Sequence, residues 1–342
     1  MADFHHKTLN LFGSTALAVL LTLAPTSAHA QRGFRIPMPG SSRAPTPFEL
    51  AVGRGDQALR QGRLDEAQTQ FNEAERLNPR DARPAFYLGE IARRRDDYAT
   101  AERQFRIAIQ RNDRMAEAHA SLGAVLRELR RGSDARAAFQ RALTLDPQLA
   151  EAHYGLALCL EDDGDSARAV SEYRSAIRLS PRDAMAPLNL GILLANTRPA
   201  RGSQPRAEAL AMLQSALRNG SDDTAVLISA GPALRTLGEF ESSAGALERA
   251  RTRSPQPSAS LLAELAQSLW AAGHRPMALT RIAEAVTRAP SSAELHYVRG
   301  LMLAESGDRA GALSALRLCV QHGGDTPLAQ RARQRLTALG SR

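Results

Sequence analysis

The sequence predicts an all-α chain of antiparallel helix hairpins, and three observations carry the prediction. A period of 34 residues runs through the chain: "AEAH" occurs at Ala116–His119 and again at Ala150–His153, and Pro147/Pro181, Phe139/Tyr173 and Ala142/Ala176 keep the same spacing. Hydrophobic residues make up 43% of the chain but aromatics only 4%. The core must then be built from Ala and Leu, which suits closely spaced helices, and no β-branched run suits a large sheet. Gly62, Gly164, Gly238, Gly273 and Gly307 all fall at one point of the period, where a left-handed residue ends one helix before the next begins.

The elements follow in chain order. Residues 1–30 read as an export signal: His5, His6 and Lys7 open it, "LFGSTALAVLLTLA" follows, Pro25 breaks the run and Ala28-His29-Ala30 is a small-x-small cleavage site. The apolar run is shorter than the roughly 20 residues of a membrane span, so a mature chain beginning at Gln31 and working outside the cytoplasm is expected. An uncleaved anchor is the alternative. Residues 31–47, "QRGFRIPMPGSSRAPTP", are too rich in Pro, Gly and Ser for a packed helix and read as an extended linker.

Repeats then span 48–326, as 48–81, 82–115, 116–149, 150–183, 184–223, 224–257, 259–292 and 293–326. First-helix pairs are Leu88-Gly89, Leu122-Gly123, Leu156-Ala157 and Leu190-Gly191, with weaker versions at Arg54-Gly55, Ala230-Gly231, Leu265-Ala266 and Arg299-Gly300. Second-helix pairs are Ala67/Phe71, Ala101/Phe105, Ala135/Phe139, Ala169/Tyr173, Ala209/Leu213, Ser243/Leu247, Ala278/Ile282 and Ala312/Leu316. Prolines close units at Pro79, Pro147, Pro181, Pro255 and Pro290. Small residues in the eighth and twentieth places let the two helices approach, and a lone hairpin cannot bury its apolar face, so units must stack. The fifth unit carries an insertion, "NTRPARGSQPR" from Asn196 to Arg206, expected as a mobile protrusion. Residues 327–342 read as a capping helix whose Leu328, Leu336 and Leu339 cover the last core.

This pattern, L-G early in a first helix, A-x-x-x-F in a second and a closing Pro, resembles the tetratricopeptide repeat. The resemblance implies a right-handed superhelical α-solenoid of antiparallel helix hairpins whose first helices line a concave groove. It further implies that certain first-helix places face that groove. Here those places carry Phe86, Tyr87, Glu90, Arg93, Arg94, Arg127, Tyr154, Leu158, Leu188, Asn189 and Ile192, with Trp270 and Tyr297 toward the end. Aromatic and arginine side chains of this kind often dominate binding energy. The family's Lys/Asn clamp for a peptide carboxylate is absent, since Val52, Asp56, Ala120 and Ala124 hold its places.

Motifs that look chemical dissolve into the period. In "LDPQLAEAHYGLALCLEDDGD", His153 holds the same place as His119 and His296, and Glu151 the same place as Glu117 and Glu294. Such residues recur with the repeat and are too far apart to close on one metal ion. "EDDGD" lacks the ligand spacing of a calcium loop and is read as a helix end, a turn and the Asp165 cap. "GRGDQA" follows no strand and is rejected as a dinucleotide fingerprint. Cys159 and Cys319 are read as buried small hydrophobes.

No catalytic residue, cofactor or metal is expected. The net charge of +8 is almost wholly arginine, scattered among acids along the chain, and with export expected, nucleic acid is a poor partner. The function expected is a non-enzymatic scaffold of the bacterial cell envelope that binds a protein or peptide segment in the groove. The alternatives are a basic adaptor surface for anionic envelope polymer or lipid, using Arg198, Arg201 and Arg206 of the insertion, or a regulatory partner of an envelope enzyme.

Overall fold

A computed structural model describes residues 44–340, and the segment expected to be a signal and most of the expected linker lie outside them. The described residues form helices α1 (Pro47–Arg60), α2 (Leu64–Leu77), α3 (Ala82–Arg94), α4 (Tyr98–Arg111), α5 (Ala116–Glu128), α6 (Gly132–Leu145), α7 (Ala150–Asp162) and α8 (Ser166–Leu179). They continue with α9 (Met185–Asn196), α10 (Gln204–Asn219), α11 (Thr224–Thr236), α12 (Phe240–Arg253), α13 (Ala259–Ala271) and α14 (Arg275–Arg288), then α15 (Ala293–Glu305), α16 (Arg309–Gly323) and α17 (Pro327–Gly340). There is no strand among the described residues, and none of these helices is long and apolar enough to cross a membrane. The chain divides into two compact units, one ending at Ala186 and the other beginning at Pro187.

Within each unit the helices pair in chain order, α1 with α2, α3 with α4, α11 with α12, and so on, and each pair packs on the next. What closes a hairpin is one contact. A Cβ built on Gly89 would lie 2.7 Å from the Phe105 ring, and the same clash joins Gly55 to Phe71, Gly191 to Leu213, Gly231 to Leu247 and Gly300 to Leu316. The opposing side chains Phe71, Phe105, Leu213, Leu247 and Leu316 have no exposed surface at all. The small residues one turn before them, Ala67, Ala101, Ala209, Ser243 and Ala312, are equally buried. Phe71 then stacks on Tyr87 of the following hairpin, ring centroids 4.6 Å apart.

The turn between the helices of each hairpin needs a left-handed residue. Gly62, Gly164, Gly238, Gly273 and Gly307 supply it with φ between 72° and 91°. In three hairpins a residue with a side chain takes that place: Asp96, Arg130 and Arg198 have φ of 59°, 61° and 50°. These positions carry strain that glycine would not. Caps fix the helix starts. Thr46 forms a capping box with Glu49, and Asp97, Asp165, Ser258 and Asp308 each accept a backbone N–H with their side chains.

The recurring histidines share a role. His119, His153 and His296 each place Nε2 against the carbonyl six residues earlier, at 3.1, 3.1 and 2.8 Å. A carbonyl only accepts, so Nε2 carries the proton and ties the helix start to the preceding turn. Cys159 and Cys319 are free and buried, and burial pushes both thiols up to about 11, which keeps them unreactive. α17 lies on α15 and α16. Its Ala329 and Ala332 are fully buried, and Leu328, Leu336 and Leu339 join Tyr297, Leu316 and Cys319.

Two substitution sets test this account. Gly89→Val is expected to destabilise the chain by about 2 kcal/mol in urea unfolding, because the buried Phe105 ring cannot yield. Gly245→Ala, on α12 with open space around its Cα, is expected to stabilise by up to about 1 kcal/mol. Arg130→Gly is expected to raise the melting temperature by relieving about 1 kcal/mol of left-handed strain. A melting temperature that falls in that variant rules out strain as the dominant effect there.

Candidate functional site

In the unit ending at Ala186 the first helices touch one another in series, α1 with α3, α3 with α5 and α5 with α7. The faces that these first helices turn away from their own hairpin partners are the candidate site. Side chains bridge them in sequence. Arg94 Nη1 donates to the Leu59 carbonyl at 3.2 Å. Ser121 Oγ donates to Glu90 at 2.8 Å. Arg127 Nε donates to Asp162 at 3.2 Å. Ser121 is a groove residue that sequence reading passed over, although it sits in the same sixth place as Tyr87 and Asn189.

On α3, Glu90 and Arg93 form an ion pair, their contact 2.8 Å long with side chains only 14% and 17% exposed. Burial alone would raise the Glu90 carboxyl, but Arg93 and the Ser121 hydroxyl together hold it below the usual carboxylate range. Burial likewise opposes the charge on Arg93, yet Glu90 keeps its pKa raised, helped by Glu151 two first helices away. Arg94 is different: burial lowers its pKa despite Glu90 nearby.

Tyr87 is half-buried, and burial, reinforced by the Asp56 charge, pushes its hydroxyl up to about 12, with Glu117 adding to the effect. On α7, Tyr154 and Leu158 are half-buried, and the Tyr154 ring lies 6.0 Å from the Tyr173 ring behind it. Tyr173 is fully buried and donates its hydroxyl to Glu161 at 2.8 Å. Glu161 is raised above the usual carboxylate range chiefly by burial. Gly155 beside them has no room for a side chain, because the Phe139 ring of the previous hairpin fills it.

Several expected groove residues are placed otherwise. Phe86 is buried against Phe105, ring centroids 5.8 Å apart. In the unit beginning at Pro187, Leu188 has no exposed surface, while Ile192 and Asn189 are half-buried. Trp270 is buried, donates Nε1 to Glu305 at 3.0 Å and carries the Arg275 guanidinium 5.3 Å over its ring. Tyr297 is buried in the cluster under α17. Phe86, Leu188, Trp270 and Tyr297 are therefore packing residues, because each turns into the contact with a neighbouring helix where the repeat pattern alone suggests an open face.

The insertion is also corrected. Arg206 does not belong to a mobile protrusion: it lies in the first turn of α10, half-buried, and donates to the Leu237 carbonyl at 2.6 Å and to Glu239 at 2.8 Å. Arg198 and Arg201 are exposed and make no ion pair among the described residues. In the same unit Arg235 pairs with Glu264 at 2.8 Å, both side chains largely buried, linking α11 to α13. No group of three or more His, Cys, Asp or Glu side chains among the described residues is arranged to hold a metal ion.

The Glu90–Arg93 pair yields a pH-dependent expectation. Glu90→Gln leaves Arg93 buried without its counter-charge and is expected to cost about 3 kcal/mol at neutral pH. Because the Glu90 pKa is depressed, its contribution is complete above the ordinary carboxylate range and lost as pH falls through the folded value. Denaturation curves of native and variant chains should therefore converge in acid. A gap that persists undiminished there refutes the pairing as its source.

Comparisons with known proteins agree with this architecture. A family model described as a tetratricopeptide repeat matches residues 52–102, 92–150, 125–184 and 264–325. Among solved structures, the APC/C hetero-tetramer Cut9–Hcn1 matches at a TM-score of 0.55 and 17% identity, over 84% of this chain and 55% of that one. The pilF protein of Pseudomonas aeruginosa matches at 0.53 and 17% identity, over 62% of this chain and 93% of that one. A tetratricopeptide repeat protein from Parabacteroides merdae matches at 0.49 and 16% identity, over 75% and 99%. A comparison with curated protein sequences finds no match. At these identities the two structures with TM-scores of 0.55 and 0.53 speak for the fold alone.

Proposed function

Since the chain belongs to the tetratricopeptide repeat family, whose members generally serve as protein-interaction scaffolds, we propose that it is a non-enzymatic scaffold binding a segment of a partner protein in the groove of the 44–186 unit. The observation that carries the reading is the half-buried pair Tyr154 and Leu158, four residues apart on α7, with the Tyr154 ring 6.0 Å from the buried Tyr173 ring. An anchor of that kind recovers hydrophobic free energy when covered, about 25 cal/mol per Å², and side-chain pockets along a groove suit an extended or helical segment. We place this scaffold in the bacterial cell envelope, on the signal-like residues 1–30, which lie outside the described residues.

Two measurements test the proposal. Crosslinking in envelope extract should join one reproducible partner segment to α5 and α7, and Tyr154→Ala with Leu158→Ala should abolish it while the circular dichroism of the chain stays helical. A crosslinked segment mapping to α4 and α6 in both native and variant chains sinks the groove assignment. N-terminal sequencing of the protein from its native cells should begin at Gln31. An intact Met1 in the cytoplasmic fraction sinks the envelope assignment.

A further inference from the structure

We infer that residues 31–43 fold back onto the first hairpin, α1 and α2, and lay Phe34, Ile36 and Met38 over Leu50 and Leu77. The segment itself lies outside the described residues. The surface that fits it lies within them.

Two places of the repeat look back toward the preceding hairpin. The third place is one. Ala118, Ala152, Val226, Leu261 and Leu295 hold it, and all are buried. Leu261 and Leu295 share an apolar cluster with Leu247 and Ala250 of α12 and with Ala285 and Val286 of α14, the second helices before them. The thirtieth place is the other. From it Arg111 reaches back to Glu75 at 2.8 Å and to the Asp81 carbonyl at 3.2 Å, and Arg253 reaches back to Asp222. In the first unit these two places hold Leu50 and Leu77, and no hairpin precedes them among the described residues. Leu50 is 43% exposed and Leu77 38%, two of only four large hydrophobic side chains so open among the described residues.

The two leucines share a corner. α2 returns antiparallel to α1, so Leu77 at its end comes back to the first turn of α1, where Leu50 sits. Ala74, one turn before Leu77, packs with Phe48, Ala51 and Val52. The rest of that edge of α1 already suits water. Arg54 and Gln57 are exposed in the seventh and tenth places, where the third unit buries Leu122 and Val125. A terminal unit of a stack needs a solvated outer face, and at the far end of the chain α17 covers the last hairpin. At the first hairpin the uncovered apolar part is the corner where the preceding residues join α1 through its Thr46 cap.

Those residues have the matching chemistry. Phe34, Ile36 and Met38 alternate with Arg35 and Pro37, so in an extended chain the three apolar side chains share one face. Pro37 and Pro39 favour that extended backbone. The stretch from Met38 to Thr46 spans at most about 28 Å, enough to turn back on a corner that begins at Leu50. A second copy of the chain is a poorer occupant. A stable interface buries about 800 Å² on each partner, and two leucines less than half exposed offer a small part of that. A tethered segment docks at high effective concentration and needs far less area.

The test uses the chain beginning at Gln31, with photoactivatable benzoylphenylalanine in place of Phe34, irradiated in dilute solution and mapped by mass spectrometry. Crosslinks should form within one chain and fall in the first turn of α1 or the last turn of α2. Leu50→Gln with Leu77→Gln, both at exposed positions, should cut their yield about tenfold. Separately, Phe34→Ser with Ile36→Ser and Met38→Ser should speed amide hydrogen exchange in α1 and α2 about tenfold and leave α15 to α17 unchanged. These three residues lie outside the hairpin, so faster exchange reports the lost contact and not a damaged core. Crosslinks between two chains, crosslinks to α5 and α7 or to any other helix, a yield indifferent to the leucine variant, or α1 exchange unchanged by the serine variant each overturns the inference.

Discussion

The approach of a small residue on one helix to a large side chain on the next is the constraint on which the other features of this protein depend. At Gly55, Gly89, Gly191, Gly231 and Gly300 even a methyl group would collide with the opposing ring or leucine. The helices of a hairpin can close to that distance only because the first offers no side chain there. Once closed, the hairpin has its large residue in the middle, where it also meets the following hairpin, as Phe71 meets Tyr87 and Phe139 meets Gly155. Intra-hairpin closure and inter-hairpin stacking thus use the same side chain. That is how a chain with few aromatics builds a continuous core.

Closure on one face leaves the other free. The first helices of the 44–186 unit are brought into mutual contact, and polar residues on their remaining faces satisfy one another. Glu90, Arg93 and Ser121 do so almost completely out of water. A pair of this kind contributes less to net stability than its Coulomb energy suggests, because both ions are desolvated. Its more definite effect is to hold the register between α3 and α5 and to remove the arginine charge from the groove.

Much of this was legible in the primary structure. The pairs Ala67/Phe71, Ala101/Phe105 and Ala312/Leu316 are core residues, as their spacing predicts, and Asp165 caps α8. Other positions were not legible. Phe86, Trp270 and Tyr297 sit in places that ordinarily face a groove, yet large side chains there reach past the helix edge into the neighbouring contact. Arg206 reads as part of a basic loop, but its guanidinium turns inward to carbonyl and carboxylate groups of the following hairpin. The left-handed turn residue was evident only where it is glycine. Asp96, Arg130 and Arg198 occupy the same place without that signal.

The sequence by itself determined the repeat, the helix pairs, the turns and the identity of the packing residues. Each of these follows from side-chain size at fixed intervals, and size is written in the residue type. Only the tertiary structure decided which groove places stay open and which arginines keep a free charge. Both depend on distances between residues some thirty positions apart, such as Ser121 to Glu90 and Arg127 to Asp162. Periodicity identifies the members of such pairs but not whether they meet.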